Sequence, residues 1–290
     1  MATRTVTRPA SQWIARDRQW ALSERPILMG VINVTPDSFS DGGRFPDPEA
    51  AVAHGLALIG QGANIVDVGG ESSRPGSEPV PAEEELNRTI PVVEGLVAQG
   101  AAVSIDTTKA AVGEAALAAG ACIVNDISAG RLDSALPATA AQHGAGYIAM
   151  HMQGTPKTMQ SAPEYEDVVA EVCAFLEERV EALTAAGIAR GAIAVDPGIG
   201  FGKTLDHNLA LLARIDRLVD LGLPVVIGCS RKSFIGNVTG AETGDRLPGT
   251  LAAHLWAWAR GVQILRVHDV AEARQAAAVW QAIHAGGQAA

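Results

Sequence analysis

Short apolar runs alternate along the chain with longer segments that are rich in Ala, Leu and Glu and have a helical period. The short runs are apolar at nearly every position, which predicts strands covered on both faces, as in a parallel sheet. The predicted strands span residues 27–33, 64–68, 102–106, 122–126, 147–151, 192–196, 224–230 and 262–268. The predicted helices span residues 49–60, 83–98, 109–118, 132–142, 164–185, 206–220, 249–260 and 270–284.

Eight strand–helix units in alternation predict an α/β fold of the TIM (β/α)8 barrel type. We expect one barrel domain over residues 26–285, preceded by a short N-terminal extension, residues 1–25, that covers the bottom of the barrel. An open doubly wound sheet is the alternative fold. It would normally carry a Gly-rich fingerprint after its first strand, and this sequence has none there.

Residues at the predicted helix ends support this interpretation. Asp47 and Pro48 are expected as the N-cap and the first residue of the first helix. Five glycines follow helical runs, at the place where a left-handed residue commonly ends a helix. They are Gly62, Gly100, Gly120, Gly144 and Gly187.

Composition and charge narrow the functional classes. The chain has 290 residues, and with 48% of them hydrophobic it is too apolar to be disordered. Its formal net charge of −10 argues against general binding to nucleic acid or to anionic membranes. No apolar run approaches the ~18 residues of a membrane span, and the N-terminus lacks a secretory signal pattern. The 3 cysteines have no metal-site spacing and are expected as reduced thiols in the cytoplasm.

Polar residues end nearly every predicted strand, and in a TIM barrel the active site lies at those carboxyl ends. Asp106, Asn125 and Asp196 offer acceptors and an amide, which suit a donor-rich ring such as an aminopyrimidinone. A cationic set suits a phosphate or carboxylate tail. Taken singly, these residues have other interpretations: a helix N-cap for a strand-end Asp, a solvated loop charge for Arg74 and a salt bridge to a neighbouring Asp for Arg266. The remaining strand-end and loop residues are Asn33, Asp67, Asp126, His151 and Ser230, with the cations Arg74, Arg231, Lys232, Arg266 and His268.

Two long loops rich in Gly, Pro and Ser, residues 34–46 and 69–81, are either mobile lids over this mouth or simple turns, and we favour lids. The segment 196–204 looks like a phosphate loop, but Pro197 stands where the Walker pattern requires Gly. The sequence has neither an HExxH nor a GxSxG motif, and its histidines are scattered. Zinc hydrolase and α/β-hydrolase chemistry are therefore not indicated.

The motifs taken together resemble those of the dihydropteroate synthase family of folate biosynthesis. The matching segments are residues 29–43, 66–77, 104–107, 124–130, 150–159, 196–204, 230–236 and 266–270, in the order of the family. This resemblance implies a TIM barrel that joins p-aminobenzoate to 6-hydroxymethyl-7,8-dihydropterin diphosphate, giving 7,8-dihydropteroate and diphosphate. It also implies Mg²⁺ as cofactor, these two small molecules as partners and a homodimer.

The resemblance further implies roles for individual residues. Asn33 would ligate Mg²⁺, and Lys232, Arg266 and His268 would be catalytic. The pterin diphosphate would be held by Ser73, Asp106, Asn125, Met150, Asp196, Gly200, Lys232, Arg266 and His268. The p-aminobenzoate would be held by Ser73, Arg74, Pro75, Phe201, Ser230 and Lys232. The chain departs from the usual family pattern at Ser73, where Thr is common, and at Ile199, where Phe is common.

The implied roles favour a dissociative displacement, in which diphosphate leaves first and the amine attacks the resulting cation. Two other functions stay open: pterin-dependent methyl transfer, and a pterin-binding paralogue without catalysis. Trp256, Trp258 and Trp280 mark either a dimer face or packing between barrel helices.

Overall fold

A ring of eight parallel strands organises the computed structural model, which describes residues 10–22, 25–35 and 47–288. The ring follows a small antiparallel hairpin made of two further strands. The hairpin strands are β1 (Gln12–Ala15) and β2 (Arg18–Ala21). The ring strands are β3 (Ile27–Asn33), β4 (Ile65–Gly69), β5 (Val103–Asp106), β6 (Ile123–Asp126), β7 (Gly146–Met150), β8 (Ile193–Asp196), β9 (Val226–Ile227) and β10 (Ile264–Val267).

The sheet closes on itself. Its strand order is β8-β7-β6-β5-β4-β3-β10-β9, and a parallel bridge between Val195 and Val225 joins the two ends. The TIM barrel prediction is therefore confirmed, and the open doubly wound alternative is wrong. The strand predicted over 224–230 pairs with β10 only at Val226 and Ile227. Apolar character reports burial rather than ladder pairing, and the chain leaves the sheet after β9 to carry Ser230 into the mouth.

A helix follows each ring strand within the described residues. The helices are α1 (Pro48–Gln61), α2 (Ala82–Ala98), α3 (Ala110–Ala118), α4 (Leu136–Gln142), α5 (Val168–Ala185), α6 (Leu205–Ala213), α7 (Asp216–Val219), α8 (Ser233–Thr239), α9 (Leu247–Trp258) and α10 (Val270–Gln288). The single helix predicted over 206–220 is two helices, α6 and α7, and α8 was not predicted. No helix in the described ranges combines the length and apolarity needed to cross a bilayer.

The predicted helix ends are confirmed. The Asp47 carboxylate accepts a hydrogen bond from the Glu49 amide at 2.9 Å, and Pro48 is the first residue of α1. All five predicted C-terminal glycines have positive φ, between 61° at Gly144 and 112° at Gly62. These glycines return the chain sharply from each helix to the next strand.

The amino ends of the ring strands are covered by the hairpin. The Trp13 side chain is fully buried in a cluster that includes Ile27, Ile123 and Ile264. Its indole nitrogen donates a hydrogen bond to the Ala192 carbonyl at 2.9 Å. Residues 10–22 therefore close the bottom of the barrel, and the opposite end is left for chemistry.

Strand register places the polar residues at that opposite end. Asn33 pairs with Gly69, Gly69 with Asp106, and Asp106 with Asn125. On the other side of the ring, Met150 pairs with Asp196. Parallel register thus puts the last residues of consecutive strands at one level around the barrel mouth.

Candidate active site

A single arginine spans the mouth of the barrel. Arg266 on β10 donates from Nε to the Asp67 carboxylate at 2.7 Å and from Nη2 to the Asp106 carboxylate at 2.8 Å. These acids lie on β4 and β5, so the guanidinium reaches past β3. Asp67 also accepts a hydrogen bond from the Asn125 amide at 3.0 Å. Four residues far apart in the sequence are therefore one connected network.

The charges in this network are unbalanced, because one guanidinium faces two carboxyl groups, of which Asp67 is fully buried and Asp106 is partly buried. Burial, opposed by the charge of Arg266 and reinforced by the negative charge of Asp67, raises the pKa of Asp106 to about 7. Burial opposes the charge on Arg266, but Asp67 and Asp106 more than offset it and raise the pKa above its ordinary value. The arginine is thus always charged, and Asp106 takes up or releases a proton near neutral pH.

A second group of polar atoms faces this network. Lys232 donates from Nζ to the Ile199 carbonyl, and its ammonium lies 4.8 Å from the centre of the Phe201 ring. The Asp196 carboxylate accepts from the Gly198 amide at 2.7 Å. Burial raises the pKa of Asp196 and lowers the pKa of Lys232 to about 8, although each charge favours the other.

Gly228 lies between the two groups, and its lack of a side chain leaves space there. A Cβ at this position would lie 3.8 Å from both the Lys232 Nζ and the Arg266 Cβ. The lysine and the arginine therefore flank one gap. Asp106 and Asn125 belong to the network around Arg266, and the charge of Asp196 acts on both cations. This gap presents acceptors for a flat, donor-rich ring and cations for a charged tail.

The next polar atoms are at the start of α10. His268 Nδ1 lies 2.9 Å from the Ser230 hydroxyl, and the His268 backbone amide donates to the same oxygen at 3.3 Å. Burial and the positive charges of Arg266 and Arg231 lower the pKa of His268 to about 4. His268 is therefore neutral in the free protein at physiological pH. Arg231, which the sequence grouped with the anion-binding cations, instead forms an ion pair with Asp269.

An apolar wall adjoins Lys232. Met150 and Phe201 pack in one cluster with Ile127, Met152 and Met159. Gly200 completes this wall with a φ of 83°, and a Cβ there would lie 3.4 Å from the Lys232 Cδ. Its carbonyl accepts a hydrogen bond from the Gln160 amide at 2.7 Å. The wall is suited to stacking against a planar ligand.

The loop over 69–81 lies beside the mouth. Its Gly76 amide donates to the Pro156 carbonyl at 3.0 Å, and Ser77 donates to the Arg74 carbonyl at 2.8 Å. Within the described residues, no hydrogen bond links Ser73, Arg74 or Pro75 to Phe201, Ser230 or Lys232. The charge of Arg74 nevertheless contributes to lowering the pKa of His268. The other predicted lid, 34–46, falls mostly outside the described residues, which end at 35 and resume at 47.

Sequence reasoning gave no role to two buried residues of this site. Asp67 was recognised only as a strand end, yet it is fully buried and holds both Arg266 and Asn125. An acid inside the apolar strand β4 was the available signal, because a buried charge is costly unless it is paired. Lys203 was read only as part of a failed phosphate-loop pattern, yet its side chain is buried against His151.

Comparisons with known proteins agree with this geometry. Residues 29–268 match the family model described as pterin binding enzyme. The chain is 46% identical over 266 residues to the dihydropteroate synthase of Neisseria meningitidis serogroup B, covering 90% of this chain and 93% of that protein.

Solved structures give the same result. The Xanthomonas albilineans dihydropteroate synthase with 4-aminobenzoic acid is 49% identical, with a TM-score of 0.89, covering 95% of this chain and 99% of that one. The same enzyme in complex with 7,8-dihydropteroate is 47% identical, with a TM-score of 0.85 and coverage of 94% and 99%.

Fold and site together define a (β/α)8-barrel enzyme that carries its polar groups at the carboxyl ends of the strands. The chain belongs to the pterin-binding enzymes, and within them to the dihydropteroate synthase family. It is accordingly a transferase.

Replacing Asp67 by Asn tests the shared arginine. Asp67→Asn keeps the shape but removes one of the two charges that hold Arg266, which leaves a buried donor poorly paired. We expect the free energy of unfolding to fall by about 1–3 kcal/mol, measured by urea denaturation. The Arg214→Met variant is the control, because it breaks the exposed ion pair to Asp167 and should cost about 0–1 kcal/mol. Equal losses in the two variants would contradict this account of Arg266.

Proposed function

We propose that the chain condenses 6-hydroxymethyl-7,8-dihydropterin diphosphate with p-aminobenzoate to give 7,8-dihydropteroate and diphosphate. One observation carries this proposal: Arg266 and Lys232 flank a gap at Gly228, with Asp106 and Asn125 in the network around Arg266 and the charge of Asp196 acting on both cations. That gap offers acceptors for the amino and ring N–H groups of a pterin and cations for its diphosphate. The structures of relatives bound to 4-aminobenzoic acid and to 7,8-dihydropteroate support the same pair of substrate and product.

The pterin ring would lie in the gap, with Met150 and Gly200 along the apolar wall. Asp196 and Asp106 would accept hydrogen bonds from the ring, and two parallel bonds to one carboxylate would fix its orientation. Lys232 would donate from the opposite side. Arg266 is already held rigidly by its two carboxylates, so it needs little reorganisation to face a charged group.

In the reaction, the bond between the pterin methylene carbon and the diphosphate oxygen breaks, and its electron pair leaves with diphosphate. The amine nitrogen then forms the new bond to that carbon and loses a proton to solvent. Arg266 and His268 would stabilise the departing charge, with Ser230 orienting the His268 ring. The electron-rich dihydropterin can carry positive charge on the methylene, which favours the dissociative order.

We further propose Mg²⁺ as the cofactor, with Asn33 as its ligand from the protein. Asn33 is half-buried at the carboxyl end of β3, and its amide oxygen is the kind of hard ligand that Mg²⁺ takes. The described residues contain no group of three or more His, Cys, Asp or Glu that could hold a metal ion. One protein ligand would suffice for an ion held mainly by substrate phosphates, where the ion would neutralise charge on the leaving group.

The p-aminobenzoate would enter beside Phe201, Ser230 and Lys232, with Ser73, Arg74 and Pro75 completing its pocket from the loop 69–81. In the structure this loop is fastened to the strand-β7 side of the mouth through Gly76 and Pro156. Closure of the loop over bound pterin would exclude water from the methylene cation. We place the reaction in the cytoplasm; recovery of the chain with a membrane or exported fraction would contradict this.

The direct test of the proposed function is product formation by the purified protein. We expect 7,8-dihydropteroate to form only when pterin diphosphate, p-aminobenzoate and Mg²⁺ are all present, and EDTA to abolish it. Arg266→Met should lower kcat by about 10²-fold or more, because it removes a preorganised charge at the leaving group. Arg217→Met, on the outer helix α7, is the control.

Failure to form dihydropteroate under these conditions would refute the function. The dissociative order has its own test, a single-turnover measurement with pterin diphosphate and Mg²⁺ alone. A burst of diphosphate release without p-aminobenzoate supports that order, and strict dependence on p-aminobenzoate contradicts it.

The raised pKa of Asp106 predicts proton release on pterin binding. In the free protein the carboxyl faces Arg266, Asp67 and Glu85, and it is half protonated at about pH 7. A ligand that donates N–H groups stabilises the ionised form, so affinity should fall as the pH falls below about 7. Calorimetry near pH 7 in buffers of different ionisation enthalpy should detect the released proton. Asp106→Asn should reduce that release, and an identical release in this variant would contradict the assignment.

We also propose that the chain forms a homodimer through α9 and α10. Trp256 donates from its indole to the Leu212 carbonyl at 2.9 Å, so it packs on its own chain, yet it stays 45% exposed. Val279 and Ile283 on α10 are 57% and 69% exposed. Light scattering should give twice the chain mass of 29.9 kDa, and Ile283→Glu should reduce it to the monomer value. Leu56→Glu, on α1, should leave the dimer intact; a monomeric parent protein refutes the proposal.

A further inference from the structure

Lys203 is a buried ammonium for which the proposed reaction has no use. Its side chain comes from the segment after β8, and the residue is 3% exposed. Its Nζ lies 2.9 Å from His151 Nδ1 and 2.9 Å from the Phe201 carbonyl, with the His151 carbonyl at 3.5 Å. The ammonium therefore links the end of β7 to the segment that follows β8.

His151 is prepared to accept this hydrogen bond. Burial, with the positive charges of Lys203 and Arg131, lowers the pKa of its imidazole to about 3. The neutral ring packs edge-on against Phe175, with the ring centres 4.8 Å apart. Burial lowers the pKa of Lys203 to about 7, so the lysine is charged below that pH. An ammonium has no acceptor capacity, so the Nδ1 that faces charged Lys203 is the unprotonated nitrogen.

The segment 198–202 lies directly against the residues that follow β7. A Cβ at Gly198 would overlap the His151 carbonyl oxygen, and one at Gly202 would lie 2.8 Å from the Gln153 carbonyl oxygen. Gly198, Gly200 and Gly202 all have positive φ, at 67°, 83° and 64°. Glycines permit this path but do not hold the chain in it, because they populate many other conformations when unrestrained.

The opposite face of the same segment lines the mouth. The Ile199 carbonyl accepts a hydrogen bond from Lys232, and the Phe201 ring lies under the Lys232 ammonium. Lys203 binds the carbonyl of that same Phe201 from behind. Lys203 thus holds the segment 198–202 on the side that faces His151, while the opposite side of the segment holds Lys232 in the active site.

We propose that Lys203 is a positioning residue, which ties the segment 198–202 to His151 and thereby fixes Phe201 and Lys232 for p-aminobenzoate. This inference rests on the proposed function for the identity of the second substrate. The tie itself is a property of the free protein, so it is measurable without turnover.

A purely electrostatic role is the competing explanation. Burial raises the pKa of Asp196, and the charge of Lys203 opposes this effect. Removing the charge of Lys203 would therefore disfavour the ionised form of Asp196. A pair of substitutions separates the two effects. Lys203→Met removes both the charge and the hydrogen-bond donor, whereas Lys203→Gln removes the charge but keeps an N–H donor toward Phe201.

The first measurement is NMR of the free protein labelled in its lysine side chains, which are Lys109, Lys157, Lys203 and Lys232. In the parent protein, the Phe201 ring should shift the terminal methylene protons of Lys232 upfield. Lys203→Met should remove most of this shift, and Lys203→Gln should retain most of it. An unchanged Lys232 signal in Lys203→Met would overturn the proposal, whatever the activity of the protein.

The second measurement separates the two substrates. We expect Lys203→Met to raise KM for p-aminobenzoate about 10-fold, and to change the affinity for pterin diphosphate much less. Lys203→Gln should recover most of the KM. Equal effects of Met and Gln, concentrated on pterin affinity, would support the electrostatic explanation and overturn the positioning role.

Gln263→Met is the matched control for lost stability. Gln263 is buried at the other end of the barrel, where its side chain accepts a hydrogen bond from the Val225 amide at 2.8 Å. It should lower the melting temperature without moving the Lys232 signal or the KM. If Lys203→Met does not fold, the nitrogen shifts of His151 in the parent protein decide instead, recorded below about pH 7, where Lys203 is charged. A protonated Nδ1 there would overturn the proposal, and an unprotonated Nδ1 would support it.

Discussion

One fully buried and one partly buried carboxyl group, which share a single guanidinium, set the character of the barrel mouth. Asp67 and Asp106 lie on adjacent strands, and both are held by Arg266, which reaches them across β3. A fully neutralised pair would be a structural element with little response to a ligand. Here the carboxyl groups outnumber the guanidinium, and burial disfavours the charged form of Asp106, so this carboxyl is partly protonated near neutral pH. A donor-rich ligand would therefore stabilise the ionised form of Asp106, which the free protein disfavours.

This constraint explains why the cations face the same gap. Lys232 has a lowered pKa because burial disfavours its charge, and His268 is neutral for the same reason. On the proposed mechanism, an arriving diphosphate would favour the charged forms of both side chains, whereas the pterin ring would favour the charged forms of Asp106 and Asp196. Each half of the substrate thus stabilises the charges that bind it. The rigidity comes from the neighbours: Ser230 holds His268, and the Phe201 segment holds Lys232.

The sequence predicted the barrel well because buried parallel strands are continuous apolar runs and because glycines end the helices. It misjudged β9, since burial of residues 228–230 does not depend on ladder pairing. It also identified the residue types at the strand ends, but not their partners. Arg266 and Asp67 are 199 residues apart, and no local pattern pairs them. For the same reason Arg231 was grouped with the anion-binding cations, although in the structure it forms an ion pair with Asp269.

The segment 196–203 shows how a glycine-rich stretch can serve binding without forming a phosphate loop. In a phosphate loop, glycines allow backbone amides to face an anion. Here positive φ at Gly198, Gly200 and Gly202 lets the chain lie against the end of β7. The amides of Gly198 and Gly200 are already bonded, to the Asp196 and Asn208 side chains at 2.7 Å each. What the segment offers a ligand is therefore the Phe201 ring and the Ile199 carbonyl that orients Lys232. On the proposed function, the diphosphate would be bound elsewhere, by Arg266 and His268.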